Sequence, residues 1–225
     1  LLTSVAAMTT RGITATSAVE FLRICGQLKR LKRTGWVNHH VNGPESVADH
    51  MYRMAMCTLL LDGDSSLDKT RCIKMAIVHD LAESFVGDIT PHDGVSNEEK
   101  HRLELARALA GWYIYPPPIP PWLLHMVSLD LALEIKELWH EYEDATSDEA
   151  KLVKDFDKFE MILQADEYEG AQDNLQLDQF FAGTQGKFKT PLVQSWVAEL
   201  DAQRHRRRTA STPEVSTTTT TPTTS

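Results

Sequence analysis

The stretch Met75-Ala-Ile-Val-His-Asp-Leu-Ala-Glu83 places two adjacent ionisable residues, His79 and Asp80, inside the most apolar predicted helix of the chain, residues 68–85. Burying an imidazole and a carboxylate among apolar side chains costs free energy unless they are paired or bind a metal. Glu83 follows His79 by about one helical turn, so the same face is expected to carry a third polar group. The alternative is a purely structural helix end, in which His79 is hydrogen-bonded and the acidic side chains are solvated.

Three further ionisable residues, in two other helices, lie in apolar surroundings elsewhere in the chain. His50 follows the capping sequence Ser46-x-x-Asp49 in an amphipathic helix, and a second helix carries Asp155 and Asp157. Helical periodicity alone cannot distinguish Asp155 from Asp157 as a candidate ligand, because both flank Phe156. Two imidazoles and two carboxylates can hold one divalent cation and leave positions for water and substrate. Such mixed nitrogen and oxygen ligands suit Mn, Co, Fe, Zn or Mg.

The rest of the chain is punctuated by helix signals. Ser17-x-x-Glu20 predicts the start of a helix over about 18–32, and Thr190-Pro191 predicts the start of the last one, about 191–207. Other helices are predicted over about 96–111, 130–144 and 148–169. Period-two alternation of β-branched residues is absent. The sequence therefore predicts an all-α fold, a single helical bundle over residues 18–208 without a sheet.

Composition limits the functions that this bundle can have. The 225 residues are 42% hydrophobic and 24% charged, with a formal net charge of −9, which argues against a nucleic-acid polymer or an anionic membrane as partner. The three cysteines form no CxxC pair, which favours buried thiols in a reducing compartment. No apolar run approaches the roughly 18 residues of a membrane span. An intracellular, most simply cytoplasmic, protein is expected.

Three segments are predicted to lie outside the regular bundle. Residues 1–17 are expected to be a disordered extension, although their composition also fits the remnant of an organelle transit peptide that is short of arginines. Residues 209–225 form a Thr-rich, low-complexity tail. Residues 112–130 are an atypical insertion, with five prolines between Trp112 and Trp122. The insertion could be a polyproline loop, a partner-binding segment, or sequence that is absent from the mature product.

Several strings resemble the HD-domain metal-dependent phosphohydrolases, and within them the eukaryotic HD-domain-containing 5′-deoxynucleotidases. The resemblance covers roughly residues 18–111 and 134–203, whereas the Pro-rich insertion replaces a short connection between helices. The strings are Arg33-Thr-Gly-Trp36, Pro44-Glu-Ser-Val-Ala-Asp-His50, Val78-His-Asp-Leu-Ala-Glu83, Val86-Gly-Asp-Ile89 and Phe156-Asp-Lys-Phe-Glu-Met-Ile-Leu-Gln164.

The resemblance implies a homodimeric enzyme that removes the 5′-phosphate from deoxyribonucleoside monophosphates with the help of a divalent cation. It places the last ligand at Asp157 rather than Asp155. The implied metal ligands are His50, His79, Asp80 and Asp157.

The resemblance also implies roles for four neighbouring residues. Glu83 would orient the attacking water or a second cation, and Asp88 would be the proton-transfer residue, although the reverse assignment stays open. Glu83 and Asp88 together could hold a second metal ion. Arg33 would bind the phosphate and Trp36 would pack on the sugar. For Arg33 and Trp36 the structural alternative is a basic helix end and a core tryptophan.

Two other functions compete with this interpretation. The same metal site could act on deoxynucleoside triphosphates, cyclic nucleotides or guanosine polyphosphates. A triphosphate would need several cations near the site, and only Arg33 and Arg53 are candidates in the sequence. The second rival is a non-catalytic, metal-stabilised scaffold that binds a partner through residues 112–122.

Overall fold

The computed structural model describes residues 12–61, 66–88 and 127–210, and its regular elements are helices. In those ranges there is no β-strand, only an isolated bridge between Lys32 and Ser46. The helices are α1 (Ala15–Leu28), α2 (Thr34–Asn38), α3 (Val47–Leu59), α4 (Lys69–Val78), α5 (Glu83–Val86), α6 (Leu129–Asp144), α7 (Asp148–Ala171), α8 (Asp178–Thr184) and α9 (Pro191–Ala210). The predicted all-α class is confirmed.

The hydrophobic core forms around α7, which packs against α3, α4, α6, α8 and α9. Phe156 of α7 is fully buried and stacks on Trp196 of α9, with ring centroids 5.5 Å apart. Met54 and Met75 fill the space between α3, α4 and α7 without exposure to solvent. The helices that carry the predicted ligands are therefore fixed by one shared core.

Local capping explains where the helices start. Ser46 caps α3 as predicted, since Asp49 N–H donates to Ser46 Oγ and Ser46 N–H donates to Asp49 Oδ2. For α1 the predicted cap was wrong. Thr14 caps that helix, and Ser17 occupies the third helical position of the same capping box. Thr is also a favourable N-cap residue, so the helix can start three residues earlier than predicted.

The predicted helix over residues 68–85 is interrupted at the residues that decide the site. Helix α4 ends at Val78, and a tight turn carries His79 and Asp80 before α5 begins at Glu83. In that turn Glu83 N–H donates to the Asp80 carbonyl over three residues instead of four. His79, Asp80 and Glu83 are thus arranged by a turn rather than by one helical face.

Several predictions fall outside the described residues. These are the helix over 96–111, most of the insertion at 112–130, and nearly all of both tails. Helices α2 and α8 were not predicted, because each is short and neither has a side-chain cap. Among the described helices, none combines the length and the hydrophobicity of a transmembrane segment.

The cysteines are free thiols in the folded chain. Cys57 and Cys72 are buried and Cys25 is half-buried. Burial raises the pKa of Cys57 to about 11 and that of Cys72 to about 12. The predicted buried thiols are confirmed at both of these positions.

Candidate metal centre

Two buried imidazoles from different helices meet at the centre of the bundle. His50, in α3, has no solvent exposure, and His79, at the end of α4, is 4% exposed. The ring centroids lie 5.7 Å apart. One ligand atom each from His50, His79 and Asp157 lies within 4.8 Å of the other two. The structure thus brings together residues that are up to 107 positions apart in sequence.

A contact at Nδ1 fixes the orientation of each imidazole ring and so the direction of the Nε2 lone pair. His50 Nδ1 lies 2.5 Å from Glu160 Oε2, and His79 Nδ1 lies 3.1 Å from the Ala76 carbonyl oxygen. Carboxylate and carbonyl oxygens only accept hydrogen bonds, so both Nδ1 atoms carry the proton. Each Nε2 then presents its lone pair to the space between the rings when the ring is neutral.

Asp80 and Asp157 complete this cluster. Asp80 Oδ2 lies 3.1 Å from His79 Nε2 and 4.0 Å from His50 Nε2, and Asp157 Oδ1 lies 3.3 Å from His50 Nε2. Adjacent ligands of one ion, at bonds of about 2.1 Å, lie roughly 3.0 to 3.4 Å apart and opposite ones about 4.2 Å. All three separations fall in or near that range.

The buried polar atoms of the cluster provide a test of whether a cation fits. His50 Nε2, His79 Nε2 and Asp80 Oδ2 are each buried without a hydrogen bond. Buried polar groups are normally satisfied, so three such atoms pointing at one another need an explanation. A divalent cation accepts lone pairs from both imidazoles and carboxylates. The four predicted ligands therefore fit a divalent metal.

The charges of the cluster reinforce this interpretation. Burial would lower the pKa of His50, yet Glu160 and Asp157 raise it to about 9. Burial would raise the pKa of Asp157, but His50 holds it well below its usual range. The carboxylates around the two imidazoles therefore favour a positive charge at the centre of the site.

Asp155 and Asp157 have different surroundings, although helical phase could not separate them. Asp155 is fully buried, and its Oδ2 accepts hydrogen bonds from Lys189 N–H, Thr190 N–H and Thr190 Oγ1. It holds the chain that leads into α9. Asp157 faces the histidines and is the aspartate that the resemblance implied as a ligand.

This difference predicts opposite outcomes for two alanine variants. Asp155→Ala should leave metal binding intact but lower the free energy of unfolding by roughly 2–3 kcal/mol, because it removes hydrogen bonds to a buried charge. Asp157→Ala should abolish tight metal binding without a comparable loss of stability in the metal-free protein. Calorimetric metal titration and urea unfolding check both. The reverse pattern would move the ligand to Asp155.

Two residues that the sequence did not single out hold the predicted ligands in place. Tyr142 of α6 is buried, donates to Asp157 Oδ2 at 2.7 Å, and packs its ring against His79 at 4.8 Å between centroids. Glu160 of α7 binds His50 as described above. The signal available for Glu160 was an acidic residue within the apolar run Phe159-Glu-Met-Ile-Leu163.

The cluster is more open on the side of its carboxylates. The Asp157 side chain is 30% exposed and that of Asp80 18%, whereas both imidazoles are buried. Arg33 lies on this side, with Nη1 3.6 Å from Asp80 Oδ2. Burial would lower the pKa of Arg33, but the surrounding carboxylates raise it above its ordinary value; they are Asp80, Asp157, Asp88 and Glu83. Arg33 therefore stays cationic beside the candidate metal.

The two predicted acid–base residues, Glu83 and Asp88, both contribute to the raised pKa of Arg33. Glu83 begins α5 and is 4% exposed. Asp88 is half-buried, and its Oδ2 accepts the backbone N–H of Thr34 at 2.5 Å. Thr34 Oγ1 also donates to the Asp88 carbonyl. The Arg33 segment and the Asp88 segment are thus tied together at the edge of the site.

Trp36 is enclosed rather than open to a ligand. It is 1% exposed, its Nε1–H donates to Glu45 at 2.8 Å, and it packs against Tyr168 and Phe180. The structure therefore gives the indole a core role, which is the alternative that the sequence left open. A contact between Trp36 and the substrate sugar stays a prediction.

The fold and this histidine–aspartate cluster define an HD-domain protein, and comparison with known families agrees. The HD domain model matches residues 25–196, so the chain belongs to the HD domain family. It is 48% identical over 197 residues to the Dictyostelium discoideum protein named 5′-deoxynucleotidase HDDC2, covering 83% of this chain and 97% of that relative. It is 44% identical to the human protein of the same name, covering 94% and 98% of the two chains.

Solved structures give the same result. The PH0347 protein from Pyrococcus horikoshii OT3 is 32% identical, with a TM-score of 0.62 over 83% of this chain and 98% of that one. The HD domain-containing protein YGK1 is 33% identical, with a TM-score of 0.60 over 84% and 86%. The architecture around the candidate metal centre is therefore that of HD-domain proteins.

Proposed function

We propose that this protein is a metal-dependent 5′-deoxynucleotidase, which hydrolyses deoxyribonucleoside 5′-monophosphates to deoxyribonucleosides and phosphate. The main support for this proposal is that the chain is 41–48% identical, over most of its length, to relatives named 5′-deoxynucleotidases. The cluster of His50, His79, Asp80 and Asp157 supports it, because these side chains offer the ligands that a metal-dependent phosphohydrolase needs.

The chemistry requires one bond to form at phosphorus and one to break. A water oxygen attacks the phosphorus atom, and the bond from phosphorus to the 5′-oxygen of the sugar breaks. His50, His79, Asp80 and Asp157 would hold a divalent cation, which would supply positive charge against the phosphate oxygens and make water more acidic. The attacking water loses a proton and the departing 5′-oxygen gains one, so a carboxylate must move protons.

Glu83 and Asp88 are the carboxylates that we assign to this task. Both carboxylates raise the pKa of Arg33, and Arg33 Nη1 lies 3.6 Å from Asp80 Oδ2. Glu83 is assigned to orient the water and Asp88 to transfer the proton, and the same pair could hold a second cation. The hydrogen bond from Thr34 N–H orients the Asp88 carboxylate toward one defined position.

The positions of the cations favour a monophosphate over a triphosphate. We assign Arg33, whose Nη1 lies 3.6 Å from Asp80 Oδ2, to bind one phosphate group. Arg53, the other candidate, is already committed, because it contacts Glu160 at 2.8 Å and Glu167 at 2.7 Å. It is thus not free to neutralise additional phosphate groups. This supports hydrolysis of a monoester rather than of a nucleoside triphosphate.

We also propose a homodimer, on the family resemblance, for which light scattering would give twice the chain mass of 25.3 kDa.

The scaffold alternative would bind a cation but release no phosphate from any nucleotide. Its suggested binding surface, residues 112–122, lies outside the described part of the chain. The proposed activity therefore needs a direct test.

The test is a substrate panel with controlled metal. Metal-stripped protein is supplied with Mn²⁺, Co²⁺, Mg²⁺ or Zn²⁺ and incubated with all deoxyribonucleoside and ribonucleoside 5′-monophosphates, and phosphate release is measured. We expect release from the deoxy series with at least one metal, little from the ribo series, and none without metal. Cyclic nucleotides, deoxynucleoside triphosphates and guanosine polyphosphates are tested separately as alternative substrates. Hydrolysis confined to these, or no hydrolysis at all, would overturn the proposal.

A further inference from the structure

Glu160 is a fully buried carboxylate that no step of the proposed reaction uses. It lies in α7, three residues after Asp157, and its two oxygens contact different groups. Oε2 lies 2.5 Å from His50 Nδ1, and Oε1 accepts the Arg53 Nε–H at 2.9 Å. A buried carboxylate is costly unless it is paired, so both contacts are needed to keep it in the core.

The two partners of Glu160 belong to one helix. His50 and Arg53 lie three residues apart in α3, on the same face of the helix, and Glu160 reaches them from α7. Arg53 also contacts Gln164 and Glu167, one and two turns further along α7. Glu160 therefore links a proposed ligand of one helix to the helix that carries the ligand Asp157.

A second cation is a weaker explanation of this carboxylate. Ligand atoms of Glu45, His50 and Glu160 lie within 4.8 Å of one another and could in principle hold an ion. However, 2.5 Å between His50 Nδ1 and Glu160 Oε2 is a hydrogen-bond distance and leaves no room for a cation between them. Arg53 already supplies positive charge at Glu160.

We propose that Glu160 is a positioning residue for the metal centre. It holds His50 with the proton on Nδ1, so that Nε2 faces the other ligands, and it makes that nitrogen a better donor. Metal-ligating histidines generally have such a partner, and its loss typically weakens metal binding by 10–100-fold. The inference rests on the metal site assigned under the proposed function, but not on the identity of the substrate.

The test compares Glu160→Gln with Glu167→Gln. The first variant keeps the shape of the side chain but removes the charge that acts on His50. The second removes the other carboxylate bound to Arg53 and leaves His50 untouched. We expect Glu160→Gln to weaken binding of Mn²⁺ to metal-stripped protein by about 10–100-fold, and Glu167→Gln to bind Mn²⁺ as the unmodified protein does. Titration calorimetry measures both, with circular dichroism as the check of folding.

A purely structural role for Glu160 makes a different prediction. It would lower the stability of the metal-free protein and leave the Mn²⁺ affinity of the folded fraction unchanged, and that result would overturn the proposal. In the positioning role, excess metal should restore much of the rate of Glu160→Gln, since occupancy rather than chemistry is impaired. The metal titration is informative even if no nucleotide is hydrolysed, so failure of the proposed function stays distinguishable.

A measurement on the unmodified protein covers the case in which Glu160→Gln does not fold. Nitrogen NMR of histidine-labelled protein loaded with diamagnetic Zn²⁺ should show His50 with a proton on Nδ1 and Zn²⁺ on Nε2. A His50 ring without a proton on Nδ1, or one that binds Zn²⁺ through Nδ1, would contradict the positioning role.

Discussion

Replacement of His79 by alanine should abolish metal retention and phosphate release together. His79 is buried, its Nδ1 is held by the Ala76 carbonyl, and its Nε2 lies 3.1 Å from Asp80 Oδ2. Alanine leaves a space without a donor atom in the middle of the ligand set. The charge stabilisation that a catalytic cation provides is worth several kcal/mol, so the rate should fall by about 1,000-fold or more.

The control for this variant is His205→Ala. His205 is exposed on α9, far along the chain from the ligand cluster, and alanine is a good helix former. This control should retain the metal content and turnover of the unmodified protein. Metal analysis after gel filtration and a phosphate-release assay measure both variants. Normal turnover by folded His79→Ala protein would remove the proposed site.

The proposed ligands could be singled out in the sequence because they stand out against their apolar neighbours. A histidine and an aspartate among Val78, Leu81 and Ala82 are costly in a core, and the same reasoning led to His50. Their convergence could not follow from periodicity, since it depends on how α3, α4 and α7 pack together. The family resemblance supplied the choice between Asp155 and Asp157, and the packing of Asp155 against Thr190 gives that choice a physical reason.

The break after Val78 could not be predicted from the local sequence. Residues 78–83 contain neither glycine nor proline, and their periodicity continues that of α4. The turn is instead stabilised by contacts from distant parts of the chain. Asp80 lies 3.6 Å from Arg33 Nη1 and 4.0 Å from His50 Nε2, and both partners are distant in sequence. Tertiary structure here overrides local helix preference.

The supporting residues were missed for a related reason. Glu160 and Tyr142 are ordinary helix residues in the sequence, and their partners lie 110 and 15 positions away. Glu160 does share the signal that marked His79, an ionisable group within an apolar run. The criterion that marked Asp157 in the same helix therefore applies equally to Glu160.

The charge balance of the cluster separates the proposed ligands from the proposed catalytic groups. Asp80 and Asp157 contact the imidazoles directly, and Glu160 adds a third negative charge behind His50. Glu83 and Asp88 influence the cluster mainly by raising the pKa of Arg33. Removing a charge from this second group should thus alter proton transfer more than metal binding.

Replacement of Glu83 by glutamine is the variant that tests this separation. Glutamine keeps the size of the buried side chain but cannot accept a proton at neutral pH. Because the four proposed ligands stay in place, metal content should stay close to that of the unmodified protein. General acid–base groups contribute typically 10²–10⁴-fold, so kcat at saturating substrate should fall by about that factor.

The outcome of Glu83→Gln separates three roles for this carboxylate. Loss of rate with metal retained assigns Glu83 to water orientation or proton transfer, and a parallel Asp88→Asn variant shows which of the two acids controls the acidic limb of the pH–rate profile. Loss of metal as complete as in His79→Ala would instead make Glu83 a ligand of the first ion. An unchanged kcat would exclude it from the reaction, because a buried carboxylate beside Arg33 would then serve only to balance that charge.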